Sequence, residues 1–355
     1  MTFRKNLVSF LCLVLFFNLT ECNQNINHPG HLKPFGSSGP FLQLEEVTSL
    51  PTKIFFENYV QPKQAVVMRN FVNQFPAFKS WKDEYLYSKA SDNDDYKILV
   101  ETQKKESRDQ DTLKLSLTEF LDNYKSRSIY MVNEVPPYLK KDVLLPQPLQ
   151  CGQAPTVLEE TIMWFSSGGT SSVVHTDDYE NILCVFDGTK ELVLVDYFKH
   201  KRIADSIIDE YKGSYSSMDV DKVDYKLFPD IENLEYYRVN VSAGDCLYIP
   251  FKWIHQVRSY GRNLAINFWF NYEKIFGNTL FPEECSNNKL DLSKTLDKFT
   301  YSASKNDFYS NFKTFIMRQV NLGSRQLNDW ISLILGEREF TIEEKQYIED
   351  LLGEA

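Results

Sequence analysis

Two histidines and one aspartate have the types and spacing of a metal site. His175 and Asp177 stand two residues apart, so in an extended segment both side chains leave the backbone on the same side. His255 follows much later, at the end of a short apolar run. Two imidazoles and one carboxylate on one face of an iron(II) ion leave positions open for substrate and oxygen. The three residues therefore predict a non-haem iron site.

Each of these residues also has an ordinary structural explanation. A single His-x-Asp pair is common, and His255 follows the apolar Trp253 and Ile254 as a core histidine would. Lys190, close to apolar runs, lies either in solvent or inside the fold, where a lysine needs an anionic partner. A dicarboxylate co-substrate would be such a partner. The motifs around these residues therefore have to decide between a structural and a functional explanation.

The segment that carries these residues, 126–272, is predicted to be a β-barrel or sandwich. Short β-rich runs alternate there with turn signals, as they do in all-β domains. Asp187-Gly188, between two apolar runs, favours a hairpin. Residues 198–235 are polar and rich in turn signals, which indicates an insertion between two halves of the barrel.

The flanking segments have different patterns. Residues 45–125 mix helical and strand-like runs, and Ser116 with Glu119 forms a capping box, so we expect a mixed α/β layer. Residues 273–355 carry apolar residues at helical spacing, which predicts C-terminal helices. An apolar helix stripe of this kind serves either a homodimer interface or packing against the barrel.

The N-terminus has the features of a targeting segment. Arg4 and Lys5 precede an apolar run over residues 7–17, which is too short to span a membrane comfortably. A cleaved signal peptide over residues 1–22 is the expectation, and an uncleaved anchor is the alternative. Residues 23–44, rich in Asn, Pro, Gly and Ser, are predicted to be a flexible leader. We therefore expect a chain of the secretory pathway, in the lumen of the endoplasmic reticulum or secreted, without stable membrane insertion after cleavage.

The cysteines fit the same compartment. Four follow residue 22, at Cys151, Cys184, Cys246 and Cys285, and none forms a CxxC pair, which argues against a zinc site. An oxidising lumen would allow one disulfide, whose connectivity the sequence does not assign. Because Cys184 and Cys246 sit in apolar runs, buried thiols are the expectation for them. Residues 240–242 (NVS) form a glycosylation sequon that a lumenal chain could use.

Composition limits the classes of partner. Apolar residues make up 43% and aromatic residues 14% of the chain, which is enough for a substantial core. The net charge is −10, and lysines and arginines do not cluster. A nucleic-acid surface needs clustered positive charge, so no nucleic-acid partner is expected.

Several motifs, in order along residues 45–272, resemble those of the JmjC-domain (cupin-like) oxygenases, and look closest to the JmjC protein hydroxylases. Residues 175–181 (HTDDYEN) and 187–190 (DGTK) resemble the first iron motif and the co-substrate lysine. Residues 243–255 (AGDCLYIPFKWIH) resemble the block that ends in the second iron histidine. The remaining similar segments are 66–70 (VVMRN), 81–86 (WKDEYL) and 267–270 (NFWF). An ordered set of motifs is far more specific than any single one.

The resemblance implies a mainly β fold with flanking helices, whose core is a double-stranded β-helix of the jelly-roll or cupin-like kind. It further implies that His175, Asp177 and His255 bind Fe(II), and that Lys190 pairs with the far carboxylate of the co-substrate 2-oxoglutarate.

Four more residues receive roles from the same resemblance. Tyr130 matches a tyrosine that helps to hold the co-substrate carboxylate, and Ser172 stands where relatives carry a threonine three residues before the iron histidine. Asn181 and Asn267 match polar residues that line the co-substrate pocket. For Tyr130 and Ser172 an ordinary structural role is nearly as good an explanation, since β-rich cores use both residue types freely.

The expected activity is that of a dioxygenase that uses Fe(II), 2-oxoglutarate and O2 to hydroxylate a side chain of a protein or peptide in the secretory pathway. Demethylation is related chemistry, but the expected compartment makes it the weaker interpretation. A non-catalytic JmjC-fold binding module of the lumen is the alternative, and the complete set of site residues argues against it. A cupin sugar isomerase or storage protein is a third reading, which Asn267 and the placement of Lys190 disfavour.

Overall fold

The computed structural model describes residues 28–106, 111–151, 154–272 and 290–293. The strands in these residues are β1 (Phe41–Leu42), β2 (Glu45–Val47), β3 (Val66–Met68), β4 (Lys97–Glu101), β5 (Thr112–Ser116), β6 (Tyr130–Glu134), β7 (Leu158–Ser166), β8 (Thr170–Ser171), β9 (Glu180–Val195), β10 (Tyr236–Ser242), β11 (Cys246–Ile249) and β12 (Ile254–Phe270).

Short helices connect and flank the strands. The α-helices are α1 (Thr52–Phe55), α2 (Pro76–Ser80), α3 (Asp83–Ser91), α4 (Leu117–Asn123) and α5 (Lys201–Ile207). A π-helical turn covers Phe56–Val60, and 3-10 turns cover Pro137–Asp142, Gln147–Leu149, Ala154–Val157, Glu210–Lys212 and Pro229–Asn233. Within the described ranges, every helix is too short or too polar to cross a membrane.

Two long antiparallel strands, β9 and β12, form the centre of a mainly β, cupin-like fold, as the sequence predicts. Residues 180–187 of β9 pair with residues 264–270 of β12 in a sheet of order β2-β3-β11-β9-β12-β7-β6-β4-β5. Residues 189–195 of β9 pair with 254–260 of β12 in a second sheet, where β10 and β1 join β9 and β8 joins β12. Because both strands run through both sheets, the two sheets enclose a common interior.

The expected hairpin at Asp187-Gly188 is wrong. Gly188 has a φ of +75° and lies inside β9, where the strand bends from one sheet into the other. A Cβ atom at this position would lie 2.4 Å from the Arg262 carbonyl oxygen, so the close passage of β12 also requires a glycine. The two apolar runs pair with β10, β11 and β12 and not with each other.

Alternate residues of β9 serve two different cores. Leu192 and Leu194 face the barrel interior, whereas Val193 and Val195 pack under the segment 198–235, which includes α5. This alternation follows from the two-residue period of a strand. The segment 198–235 therefore covers the outer face of the second sheet.

The N-terminal layer packs on the first sheet and is tied to the bend. The predicted capping box is present: the Ser116 hydroxyl accepts from the Glu119 amide, and the Glu119 carboxylate accepts from the Ser116 amide. Arg262, beside the bend of β12, donates to Asp83 of α3 at 3.0 Å and to Asp187 at 2.5 Å. This network fixes the mixed α/β layer against both long strands.

The part of the expected leader that the structure describes is packed against the barrel. The Leu32 amide donates to the Val223 carbonyl at 2.8 Å, and the Phe35 amide donates to the Val220 carbonyl at 2.9 Å. Phe35 is buried, and β1 pairs with β10. Residues 28–44 therefore form part of the fold and not a flexible segment. The predicted signal peptide and, apart from residues 290–293, the predicted C-terminal helices lie outside the described residues.

The expectation of buried thiols is wrong for one cysteine pair. Cys184 of β9 and Cys246 of β11 stand directly opposite each other in the ladder, with Cα atoms 4.0 Å apart, and form a disulfide. Strand register creates this proximity, and the cysteine spacing in the sequence does not show it. Both residues are fully buried.

Candidate metal and co-substrate site

The three predicted metal ligands converge at one end of the barrel interior. His175 and Asp177 lie between β8 and β9, and His255 lies at the start of β12. The Nε2 atom of His175 is 3.9 Å from Asp177 Oδ1, and that of His255 is 3.6 Å from Asp177 Oδ2. Potential ligand atoms of all three residues lie within 4.8 Å of one another. Residues that are far apart in the sequence thus meet at one place in the fold.

Both imidazoles are oriented by the same kind of backbone contact. The Nδ1 atom of His175 lies 2.9 Å from the Val173 carbonyl, and that of His255 lies 2.9 Å from the Trp253 carbonyl. A carbonyl only accepts, so each Nδ1 carries the proton and each Nε2 keeps its lone pair. Such outer contacts fix the tautomer that a metal-ligating histidine needs.

Electrostatics also keep His255 neutral. Burial, and then the neighbouring His175, lower the pKa of His255 to about 4. Its imidazole is therefore unprotonated near neutral pH, which is the state that binds a metal.

An amide chain holds the carboxylate of the triad. The Asn181 Nδ2 atom donates to Asp177 Oδ2 at 2.9 Å, and the Asn267 Nδ2 atom donates to Asn181 Oδ1 at 3.0 Å. Both asparagines are buried. The two predicted pocket asparagines therefore orient Asp177 as well as lining the space next to it.

Two further contacts fix the loop around Asp177. The Lys252 amide donates to the Asp177 carbonyl at 3.0 Å, and the Lys252 ammonium pairs with Asp178 at 2.7 Å and with Glu210 at 3.2 Å. Glu180 accepts from the Tyr248 hydroxyl at 2.5 Å and from the backbone amide of residue 251 at 2.8 Å. These contacts join the loop that precedes His255 to the loop that carries Asp177.

Lys190 points into the interior and not into solvent. Its side chain is on β9 with only 3% of the residue exposed, and its ammonium donates to the Ser259 hydroxyl at 2.9 Å. In the described part of the chain no carboxylate pairs with this ammonium, and burial lowers the pKa of Lys190 to about 7. A buried lysine without a counter-ion is a site for an anion.

One cavity of about 340 Å³ connects the triad to Lys190. All eight residues predicted for the site line it: Tyr130, Ser172, His175, Asp177, Asn181, Lys190, His255 and Asn267. Apolar and aromatic side chains form much of the remaining wall: Val132, Ile162, Trp164, Leu183, Ile249, Val257 and Trp269. The cavity thus offers metal-binding groups and a cation, and Glu101 and Glu106 add two carboxylates to a wall whose remainder is apolar in large part.

Of the two hydroxyls predicted to contact the co-substrate, one is already used by the backbone. The Ser172 hydroxyl donates to the Val173 carbonyl at 2.9 Å and accepts from the Val257 amide at 2.8 Å. Burial, and then the charges of Glu101 and Glu106, raise the pKa of Tyr130 well above its usual value, so its phenol stays protonated. Ser172 therefore joins two segments of the barrel, while the Tyr130 phenol remains a candidate donor.

Sequence reasoning missed three hydroxyl residues of this cavity, Thr170, Ser171 and Ser259. Thr170 hydrogen-bonds with Tyr130, and Ser259 accepts from Lys190. Ser259 stands opposite Lys190 in the β9–β12 ladder, so strand register brings it there and no short motif marks it. Trp269, by contrast, lies in the NFWF segment and was recognisable.

These residues fit an iron ion and a dicarboxylate. Two imidazole nitrogens and one carboxylate on one side of a cavity are the ligand set that iron(II) oxygenases use. The uncompensated ammonium of Lys190 lies in the same cavity and fits the far carboxylate of 2-oxoglutarate. The fit rests on histidine tautomers and on a buried cation, both of which are features of this chain.

Comparisons with known proteins also indicate a cupin-like domain. The model of the cupin-like domain family matches residues 51–275, which is more than half of the chain. Lysine-specific demethylase 8 of Xenopus tropicalis is 26% identical over 228 residues, or 61% of this chain and 50% of that protein. Lysine-specific demethylase JMJ30 of Arabidopsis thaliana is 26% identical over 243 residues, or 65% of this chain and 55% of that protein. This chain therefore spans about half the length of these two relatives.

A human relative is covered more completely. The bifunctional peptidase and (3S)-lysyl hydroxylase JMJD7 of Homo sapiens is 23% identical over 264 residues, which is 63% of this chain and 82% of that protein. The match over residues 51–275 includes every residue of the site described above. The chain therefore belongs to the cupin-like family of JmjC domains.

Proposed function

We propose that this chain is an Fe(II)- and 2-oxoglutarate-dependent dioxygenase that hydroxylates a side chain of a protein in the secretory pathway. The observation that carries the proposal is the cavity with His175, Asp177 and His255 at one end and the buried ammonium of Lys190 in the same space. A module that only holds a protein partner does not need this combination.

The residues of the chain have distinct tasks in this reaction. His175, Asp177 and His255 would hold iron(II), and Lys190 with Tyr130 would hold the far carboxylate of 2-oxoglutarate. When bound, iron(II) with 2-oxoglutarate and O2 supplies the oxidation of an unactivated C–H bond, with succinate and CO2 as co-products. Val132, Ile162 and Leu183 make the wall apolar, which keeps bulk water from the reacting groups.

Two features support the secretory compartment. The N-terminal segment has the charge and apolar pattern of a signal peptide. The Cys184–Cys246 disulfide joins neighbouring strands of the barrel, and structural disulfides persist in oxidising compartments. Both point to substrates among lumenal or secreted proteins.

The relatives narrow the class of substrate without naming the target. Two are named as lysine-specific demethylases and one as a lysyl hydroxylase. Each name describes chemistry on a lysine of a protein, so a protein side chain is the substrate we propose. Hydroxylation is preferred to demethylation because the N-terminal segment indicates the lumen and not chromatin.

The experiment first measures turnover of 2-oxoglutarate and then searches for the protein substrate. Purified protein is supplied anaerobically with Fe(II), then with 2-oxoglutarate, ascorbate and O2, and succinate is measured with and without lumenal protein extracts. We expect iron-dependent succinate formation by the wild type and none by His175→Ala. Mass spectrometry of secreted and lumenal proteins, from cells with and without the enzyme, should show gains of one oxygen atom.

Other results would change the conclusion. Absence of iron-dependent turnover under every condition, with 2-oxoglutarate still bound, would favour the non-catalytic binding module. Loss of methyl groups without a stable gain of oxygen would indicate a demethylase. Both outcomes are distinguishable from loss of folding, because 2-oxoglutarate binding is measured separately.

A further inference from the structure

We propose that Asn240 carries an N-linked oligosaccharide. The inference rests on the secretory compartment in the proposed function, but not on catalysis. Residues 240–242 (NVS) form an acceptor sequon. The other Asn-x-Ser/Thr triplet of the sequence is residues 18–20 (NLT), within the predicted signal peptide, so a processed chain has a single acceptor.

The Asn240 side chain is accessible in the folded protein. Along β10, Val239 and Val241 are buried, whereas Asn240 and Ser242 are exposed. The strand period of two therefore places the asparagine and the serine of the sequon together on the solvent side. The fold thus has room for an oligosaccharide at this position.

The nitrogen that would carry the sugar has no competing role. Within the described residues the Asn240 carboxamide makes no hydrogen bond, and only its backbone carbonyl is used, as an acceptor from Arg69 at 3.1 Å. Two partly exposed asparagines differ, because the Asn123 Nδ2 atom donates to the Glu119 carbonyl and the Asn93 Nδ2 atom donates to the Lys89 carbonyl. Attachment at Asn240 Nδ2 therefore breaks no contact of the fold.

The position is also compatible with the site. In the β9–β10 ladder, Val241 stands opposite Lys190, and Asn240 stands opposite Glu191. Residues directly opposite share a face, so Asn240 lies on the face of the sheet that Lys190 does not use. An oligosaccharide on Asn240 would stand behind the sheet and leave the cavity open.

The chemistry is a glycosyl transfer without a redox step. The Asn240 amide nitrogen would form a bond to C1 of the reducing-end sugar of a lipid-linked oligosaccharide diphosphate. The bond from C1 to the phosphate oxygen breaks, the lipid diphosphate leaves with the electron pair, and the amide loses one proton. The lumenal oligosaccharyl transferase is the catalyst, and the membrane of the endoplasmic reticulum carries the lipid-linked donor.

The test uses the full chain expressed in animal cells, with peptide N-glycosidase F treatment and a protease-protection assay on microsomes. We expect a protected protein whose mobility increases on treatment, with Asn240 converted to aspartate in the peptide map. Asn240→Gln and Ser242→Ala should abolish the shift, whereas Ser242→Thr should keep it. Asn123→Gln, on a partly exposed residue without a sequon, is the control and should keep the shift.

Each contrary outcome has a distinct meaning. A protected protein without glycan at Asn240 would overturn the inference and leave the compartment standing. A protein that is neither protected nor glycosylated would overturn both. Turnover of 2-oxoglutarate by protein expressed in bacteria tests catalysis separately, and Asn240→Gln should leave that turnover within about twofold, because the residue faces away from the cavity.

Discussion

His175 and His255 exchange both of their backbone hydrogen bonds. The His175 amide donates to the His255 carbonyl at 3.0 Å, and the His255 amide donates to the His175 carbonyl at 2.8 Å. The two rings consequently lie with their centroids 4.1 Å apart. Backbone pairing brings the imidazoles together, so the fold itself positions both of these ligands.

Removal of the carboxylate should abolish tight metal binding without unfolding the protein. Asp177→Ala leaves the His175–His255 pairing intact but removes one of three ligands. We expect the affinity for Mn(II), used as a stable substitute for Fe(II), to fall more than about 100-fold, since loss of a residue that only orients a ligand already costs about 10- to 100-fold. Calorimetric titration of metal-free protein measures this.

The matched control is a histidine outside the cavity. His200→Gln, in the segment 198–235, should leave Mn(II) affinity unchanged. Wild-type affinity in Asp177→Ala would show that the ion binds elsewhere.

Binding of 2-oxoglutarate should weaken as pH rises above 7. Burial lowers the pKa of Lys190 to about 7 in the free protein, and a bound carboxylate favours the protonated ammonium and raises that pKa. Below pH 7 the lysine is already charged, and affinity is constant. Above pH 7 the ligand must bring a proton with it, so affinity falls by up to tenfold per pH unit. Titrations of Mn(II)-loaded protein between about pH 6 and pH 9 measure the slope.

Substitutions at the same position separate charge from shape. Lys190→Arg carries a guanidinium that does not titrate in this range, so any remaining affinity should be independent of pH. Lys190→Met should lose most affinity at every pH, because no cation remains. An unchanged slope in Lys190→Arg would assign the pH dependence to another group.

The residues of the candidate site are easier to predict from the sequence than the strand contacts that hold them in place. The His-x-Asp spacing puts His175 and Asp177 on one side of an extended segment, and the capping box at Ser116 marks the start of α4 by local rules alone. These features depend on residues a few positions apart. A pattern in the sequence is therefore sufficient to find them.

Features that depend on strand register were not predictable. Gly188 supplies a positive φ that suits a hairpin turn as well as a bend, and only the passage of β12 decides between them. The Cys184–Cys246 disulfide and the contact of Lys190 with Ser259 each join residues far apart in the sequence. Tertiary pairing, which no local propensity encodes, determines all three.

The disulfide should stabilise the barrel by about 4 kcal/mol. It closes a loop with a sequence separation of 62, which restricts the unfolded chain by about that amount in the chain-entropy model. A variant with Cys184→Ala and Cys246→Ala should therefore unfold at a much lower urea concentration. Because both sulfurs are fully buried, dithiothreitol followed by alkylation should label these cysteines in urea and not in native buffer. Rapid labelling of the native protein would contradict the structure.

The arginine at the bend should contribute strongly to stability. The Arg262 side chain is 21% exposed and donates to both Asp83 and Asp187. Arg262→Met therefore removes the least exposed cation beside two partly buried carboxylates and leaves them to the more exposed Lys125 and Lys82. We expect a loss of about 3 kcal/mol in the free energy of unfolding by urea. Lys82→Met also removes a cation beside Asp187, but Lys82 is 63% exposed, and the loss should stay below about 1 kcal/mol. Equal losses in the two variants would show that burial does not determine the contribution.

Lys252 should act on the metal through the loop that it holds. Its ammonium, 17% exposed, lies between Asp178 and Glu210, and its amide donates to the Asp177 carbonyl. Lys252→Met keeps the amide but leaves the two carboxylates to repel each other, so the loop next to Asp177 should loosen. We expect roughly tenfold weaker Mn(II) binding, as for other residues that orient a metal ligand without binding the metal.

Lys252→Arg should restore much of the affinity. Lys212→Met, on an exposed lysine of the segment 198–235 that lies outside the cavity, should not change the affinity for Mn(II). If Lys252→Met bound Mn(II) as tightly as the wild type, the ion pairs would hold the segment 198–235 in place without orienting the ligand.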